Sequence, residues 1–520
     1  LAARPLATHE RLLKTVLGAA RWLYQLQLHK GYRTGNWQIM GAYGLADIAL
    51  TLPEFKEAPL WAQQGVERIR EHAEQDFFAD GCHSERCPAS YMMIAYRDPR
   101  NLAQLLEGRD DYAGLSARLR APLERTLNWY LYTLPPDGII PAINDGSRAK
   151  LAPSVLLDGA RLYGREDMRW AARHILNNAR TKDNSRNGGT MPQQRSMHFA
   201  PSGFTAMRSD WTPQARYMLV NHGPMGGHSH RDALSFELHA YGRPLLIDAG
   251  LGRTYDDPLH KTWYQTARAH NMLVVADSDP NRRAAQGQQV LWSTGQRLDY
   301  LAATHNGYKE SHGVTHRRHF VFVRPNYFLI YDVVTAAPTA AEHSLTSYLH
   351  ATVPLNRMGA GFSSPSGPGL VALPSSPDWK PAAGRGMASV RGIPGFAQDN
   401  AEINWVSFNG KTQPATPVTL GVLLYPFGEQ RPQLRFERLD TTGGSAHFVV
   451  EHLTGTDHIL INDSQSEMQS MGIRFNGACA LVRYTDKRPT EWAVSKATRL
   501  AVDGKTLVDA TTARDGEGTI

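Results

Sequence analysis

At 520 residues the chain can bury several hydrophobic cores, and two or three domains are expected. A hydrophobic fraction of 42% and a charged fraction of 20% are ordinary for a water-soluble globular protein, and no apolar run approaches a membrane span. The formal charge of +7 suits either an ordinary solvated basic surface or a polyanionic partner. No long Lys/Arg block or zinc-finger spacing points to nucleic acid, which leaves acidic polysaccharide as the polyanion to consider.

Residues 1 to about 190 read as helical. Apolar residues recur at helical spacing over 9–29, with Leu12, Leu13, Val16, Leu17, Ala20, Leu23 and Leu26. The same period returns at 36–52, 59–77, 89–106, 113–134 and 151–180. Turn residues separate the runs at Pro53, Asp80-Gly81 and Pro135-Pro136-Asp137-Gly138, as in successive antiparallel helix pairs. The polar stretch 181–195 reads as a domain linker. Beyond it the apolar period falls to two, at 215–220, 235–240, 245–248, 272–276, 319–324 and 327–334. Strands continue at 418–425, 446–453 and 480–484. Residues 353–400 are rich in Gly, Pro and Ser and read as a long surface excursion. The layout is helices first, residues 1–190, then a large antiparallel β domain, residues 191–520.

Three cysteines, Cys82, Cys87 and Cys479, cannot all pair within the chain. Cys82 and Cys87 suit either a small-loop disulfide or two buried thiols. The chain starts at Leu1 with no methionine and no basic-plus-apolar leader, as a processed export signal or a trimmed chain would leave it.

Chemistry-bearing residues concentrate in the β half. Gly226-Gly227-His228-Ser229-His230-Arg231-Asp232 is followed by Asp248 in Leu-Leu-Ile-Asp-Ala-Gly and by His270 in Ala-His-Asn. His228 and His230 are two apart, so on a strand they share a face. Asp248 and His270 return on the next elements. Imidazoles with a carboxylate are ligands for zinc and other borderline divalent ions. His316 and His319 read as chance neighbours in a chain with 21 histidines. In the helical half, Gly35-Asn36-Trp37-Gln38 opens a helix, and 78–91 carries Asp80-Gly81, Glu85, Arg86, Pro88 and Tyr91. Asn36 also suits a helix N-cap, and Tyr91 a packed aromatic.

Together these motifs resemble the heparinase II/III-like polysaccharide lyases, which include heparan sulfate, broader glycosaminoglycan and oligo-alginate lyases. The resemblance rests on Ser202-Gly203-Phe204, Met207 to Trp211, Gly226 to Leu238, Gly242 to Gly250 and Ala269-His270-Asn271. In the helical half it rests on Gly35 to Gln38, Asp80-Gly81 and Glu85-x-x-Pro88-x-x-Tyr91. It implies an incomplete (α/α) toroid followed by an antiparallel β-sandwich domain, with the active site between them. Such enzymes have more helices before the Asn motif than this chain supplies. It also implies β-elimination of a uronic-acid polysaccharide, leaving a 4,5-unsaturated uronate, and a periplasmic or secreted enzyme.

Residue by residue, the resemblance assigns catalysis to Tyr91, Asn36 and His228. Asn36 would hydrogen-bond the uronate carboxylate. Tyr91 would take the C5 proton and return it to the leaving oxygen in a syn elimination. His228 or Tyr264 would be the second group if acid and base lie on opposite faces. A free phenol lies roughly 2.5 units, or about 3.4 kcal/mol, above the phenolate at pH 7.5. Arg86, Arg97 and the imidazoles are candidates to lower it. Trp37, Gln38, Glu85, Arg86 and Tyr264 are candidate substrate contacts; Trp37 suits sugar stacking or helix packing, and Glu85 suits a structural ion pair equally. The implied metal ligands are His230, Asp248 and His270, holding one divalent ion, Zn2+ before Mn2+ or Ca2+, in a structural role.

Some alginate-cleaving relatives carry Asn-His where this chain has Asn36-Trp37, which tilts the expectation toward glycosaminoglycans such as heparan sulfate, hyaluronan or chondroitin. An alginate or oligo-alginate lyase of the same fold and a non-catalytic, metal-containing polysaccharide-binding protein are the alternatives. A metal-dependent glycoside hydrolase would need two facing carboxylates, and no convincing pair is present.

Overall fold

The computed structural model describes residues 6–29, 35–176, 188–439, 444–464 and 466–520. Of the linker expected at 181–195, residues 181–187 lie outside this range. Seven α-helices come first among the described residues: α1 (Leu6–Leu28), α2 (Asn36–Thr51), α3 (Ala58–Gln75), α4 (Tyr91–Leu105), α5 (Ala113–Thr133), α6 (Pro153–Tyr163) and α7 (Glu166–His174). The single helical run expected at 151–180, of which 177–180 lie outside the described residues, holds two helices. Gly164, at φ 66°, takes the left-handed conformation that ends α6, and α7 restarts two residues later. Ile39, Ala42, Leu45 and Ala46 of α2 pack on Trp61, Ala62, Val66 and Ile69 of α3. A two-stranded hairpin, Ile139–Ile140 with Ala149–Lys150, interrupts the helices.

Three antiparallel sheets follow. The first runs Lys380–Ser389, Asn400–Lys411, Ser344–Ala351, Arg243–Leu246, Ser235–Ala240, Tyr217–Asn221, Phe204–Arg208, Met197–Phe199, with Leu273–Val275 paired to Ser344–Ala351. The middle sheet centres on Val418–Phe427, Tyr327–Ala336, Val314–Val323 and Leu298–His305. The third spans Arg435–Leu439 to Lys505–Thr519.

Side-chain alternation stacks these sheets. On Tyr217–Asn221, Met218 and Val220 join the core shared with the middle sheet, whereas Tyr217 and Leu219 join the core shared with α4 to α7. On Tyr327–Ala336, Phe328, Ile330 and Val334 face the first sheet, while Tyr327, Leu329, Tyr331 and Val333 pack with Phe448 and Ile459 of the third. The order is helices, first sheet, middle sheet, third sheet. A third sheet is stacked beyond the first two.

The expected surface excursion at 353–400 contains four strands, Asn356–Met358, Gly361–Ser363, Gly369–Pro374 and Lys380–Ser389. Two of its glycines serve close packing: a Cβ on Gly384 would lie 2.3 Å from the Trp405 ring, and one on Gly386 2.0 Å from the Trp263 ring. Cys82, Cys87 and Cys479 are all buried free thiols, so the disulfide alternative for the first pair is not the one adopted. No helix among the described residues is long and apolar enough to cross a membrane.

Candidate active site

The helical half and the first sheet meet where the loop 76–90 touches the glycine-rich turn before His228. The approach is backbone to backbone. A Cβ on Gly226 would lie 2.6 Å from the Ser84 carbonyl oxygen and 2.7 Å from that of Glu85. A side chain at 226 would force the two halves apart.

Across this junction Tyr91, the first residue of α4, stacks face to face on His228, with ring centroids 3.9 Å apart and planes 7° from parallel. The Tyr91 hydroxyl is hydrogen-bonded to the hydroxyl of Tyr255, which lies 3.3 Å from His228 Nδ1. His228 Nδ1 also lies 3.1 Å from Asp145 Oδ2, and His230 Nε2 lies 2.9 Å from Asp145 Oδ1. One carboxylate therefore orients both histidines of the motif. Burial works against the Asp145 charge, but the hydrogen bonds from His228 and His230 hold its carboxyl well below the ordinary range.

Asp145 and Tyr255 were both missed by sequence reasoning. Asp145 sits in the hairpin turn, and its neighbour Asn144 accepts from the His230 backbone N–H at 3.1 Å and donates to the Arg86 carbonyl at 2.6 Å. The only sequence signal was the turn-like Asn144-Asp145-Gly146. Tyr255, 48% exposed, and not Tyr264, is the tyrosine that meets Tyr91 and His228. Tyr264 is fully buried beside Ala249 and Ala269, burial pushes its hydroxyl up to about 12, and it does not face the cleft.

Asn36 opens α2, and its backbone N–H donates to Glu85 Oε1 at 3.2 Å. Its side-chain amide makes no hydrogen bond among the described residues. Burial raises the Glu85 carboxyl, partly offset by this bond and by His228. Trp37 is 79% exposed next to Asn36, so packing between helices is not its role. Gln38 is buried against α1, where its carbonyl accepts from Gln27 at 3.5 Å, and it does not reach the cleft.

Arg86 is not a substrate contact. Its buried guanidinium donates to the carbonyls of Ser202, at 2.9 Å, and Pro224, and to the Asn221 side chain. It ties the loop to the first sheet. Arg97 pairs with Asp98 at 2.9 Å. With both arginines engaged elsewhere, burial dominates at Tyr91 and raises its hydroxyl, while the bond from Tyr255 pulls it down.

Behind His228, the ligand-type atoms of His230, Asp248 and His270 lie within 4.8 Å of one another, all buried. His270 Nδ1 is 2.9 Å from Asp248 Oδ2. His230 Nδ1 is buried without a hydrogen-bond partner, as a ligand of a divalent ion would be, and His270 presents Nδ1 beside Asp248. Glu237 Oε1 accepts from the Asp248 N–H at 3.1 Å, and its other oxygen lies 3.4 Å from Arg148. The donor set fits a borderline divalent cation.

The family model described as heparinase II/III N-terminus matches residues 9–170, and the one described as heparinase II/III-like, C-terminal, matches 191–426. The heparin-sulfate lyase of Pedobacter heparinus is 24% identical over 310 residues, covering 57% of this chain and 44% of that protein. That of Bacteroides thetaiotaomicron is 22% identical over 326 residues, with coverage of 57% and 44%. The chain thus spans less than half the length of these relatives. Among solved structures, heparan sulfate lyase HepC from Pedobacter heparinus superposes with a TM-score of 0.69 at 19% identity, over 88% of this chain and 70% of that one. Chondroitin AC lyase from Streptomyces coelicolor A3 superposes with a TM-score of 0.52 at 12% identity, over 92% of this chain and 72% of that one. These likenesses concern the fold alone. With family models matching both its helical half and most of its sheet half, the chain belongs to the heparinase II/III-like family.

Proposed function

We propose that the chain is a polysaccharide lyase that cleaves uronic-acid-containing glycosaminoglycans of the heparan sulfate kind by β-elimination. The observation that carries this reading is the Tyr91–His228 stack across the junction, closed by Tyr255 and Asp145. The names of the relatives, heparin-sulfate lyases, favour this substrate class. In this reading residues 1–190 are the incomplete (α/α) toroid carrying Asn36 and Tyr91, residues 191–520 carry His228, and the enzyme acts on polymer outside the cytoplasm.

Elimination needs three things: relief of charge on the C5 carboxylate, a base for the C5 proton and an acid for the leaving oxygen. The Asn36 amide donates to the carboxylate, held in place by the bond from its backbone N–H to Glu85. Tyr91, ionised, takes the proton. Its phenolate accepts from the Tyr255 hydroxyl and lies over the His228 ring, which stabilises it further when protonated. The neutral Tyr91 then returns the proton to the leaving oxygen on the same face. Trp37 offers its exposed ring to a flanking sugar. A divalent ion, Zn2+ before Mn2+ or Ca2+, bound by His230, Asp248 and His270 would supply fixed positive charge beneath the cleft, in a structural role.

The test is a panel of heparan sulfate, hyaluronan, chondroitin and alginate, followed by the ultraviolet absorbance of the unsaturated uronate and by product size. Unsaturated product from heparan sulfate supports the reading. Product from alginate alone overturns the substrate class, and no product from any polymer overturns the lyase.

A further inference from the structure

Helix α3 ends in a second group of ligand-type side chains, in the helical half. His72 and Asp76 are one turn apart, and His83 returns beside them through an antiparallel bridge between Phe77 and His83. Their ligand-type atoms lie within 4.8 Å of one another. His72 is 2% exposed and His83 is fully buried, yet Nε2 of each ring has no hydrogen-bond partner. The unpartnered Nε2 of His83, buried beside the His72–Asp76 pair, needs an explanation, because a buried polar atom is normally satisfied.

The arrangement repeats that of the sheet half. There, His270 Nδ1 meets Asp248 Oδ2 at 2.9 Å and His230 keeps a free ring nitrogen. Here, His72 Nδ1 meets Asp76 Oδ2 at 2.7 Å and His83 keeps a free ring nitrogen. We propose that His72, Asp76 and His83 form a second divalent-metal site, of the zinc class, distinct from His230, Asp248 and His270. The ion would take Nδ1 of His72, which already faces Asp76 Oδ2, with Nε2 of His83 and a carboxylate oxygen of Asp76. For His83 to donate through Nε2, the long 3.3 Å contact from the Glu85 N–H to its Nδ1 is given up.

Such an ion would pin the loop that leaves α3. That loop is already tied to the helix end by the Ser84 N–H, which donates to the Asp76 carbonyl at 2.8 Å. It carries Glu85, which holds Asn36, and leads into Tyr91. The site would be a structural clamp on the helical face of the cleft.

The test counts metal rather than activity, so it does not depend on the lyase reading. Protein stripped by chelation is titrated with Zn2+ alone, and bound metal is measured after gel filtration. His83→Gln and, separately, His72→Gln are expected to bind one equivalent less than the unsubstituted chain. His270→Gln is expected to keep one equivalent, and His270→Gln combined with His83→Gln to keep none. Circular dichroism identifies variants that keep the fold, and His72→Gln stands in if His83→Gln does not. Undiminished metal in both folded variants, or no metal in folded His270→Gln, overturns the proposal and leaves a water-filled polar pocket.

Discussion

Tyr91 and His228 meet only because one begins a helix and the other ends a glycine-rich turn on the opposite side of the junction. Tyr91→Phe or His228→Ala is expected to lower turnover at least about 10²-fold, the usual scale of acid–base catalysis. Tyr255→Phe is expected to act through pH. Burial already raises the Tyr91 hydroxyl and the Tyr255 bond pulls it down, so losing that bond raises it further. The rising limb of kcat/KM then moves to higher pH, and an unmoved limb would rule out Tyr255 as the group that tunes Tyr91. Asp145→Asn should cost about 10- to 100-fold, as with other carboxylates that orient working histidines. Tyr264→Phe, by contrast, should leave turnover unchanged, because its side chain is fully buried and makes no contact with Tyr91 or His228 among the described residues. The motif reading found Tyr91 and His228 because their neighbours in sequence mark them. It could not find Asp145, which lies 83 residues from His228 along the chain.

The strand pair Val314–Val323 and Tyr327–Ala336 contains a buried charge cluster of the sheet half. Asp332 accepts from Arg318 through both carboxylate oxygens, at 2.6 and 3.0 Å, and lies 2.6 Å from His316 Nε2. His316, which looked like a chance neighbour of His319, is part of this network. Arg318 also donates to the Leu234 and Asn271 carbonyls, each at 3.1 Å, which joins the middle sheet to the first. Asp332→Ala is expected to cost about 3–5 kcal/mol in denaturant unfolding, because the guanidinium is left buried and unpaired. The pH dependence has a definite sign. Burial opposes the Asp332 charge, but Arg318 and His316 hold its carboxyl below the ordinary value. Its stabilisation is present above the unfolded pKa of about 3.9 and is lost as pH falls toward the folded value. The stability gap between wild type and Asp332→Asn should therefore narrow in acid, and a gap that widens would contradict the assignment. The element pattern was legible where strands are long and apolar, as at 327–334. It failed at 353–400, where glycines such as Gly384 and Gly386 allow tight packing on tryptophan rings and carry no periodic apolar signal.

At the scale of the molecule, the helices, first sheet, middle sheet and third sheet form one stack with three buried seams. Removing the third sheet by ending the chain before Arg435 would expose Tyr327, Leu329, Tyr331 and Val333 of the middle sheet. The truncated protein is expected to aggregate, and a soluble, cooperatively folding product would show that this seam is dispensable. Chelation should lower the melting temperature of the intact chain more than it alters turnover per folded molecule, since the His230–Asp248–His270 site lies behind the cleft. By itself the sequence determined the helical and sheet halves, the family motifs and the grouping of His230, Asp248 and His270, because those depend on local period, residue type and motif; the His72, Asp76 and His83 group was not legible in it. Only the tertiary structure decided that Asp145 orients both histidines, that Tyr255 and not Tyr264 meets Tyr91, that Arg86 is a buried tie and that a third sheet closes the stack. These depend on which distant segments share a buried seam, and that is set by packing and by hydrogen-bond satisfaction across it rather than by any local pattern.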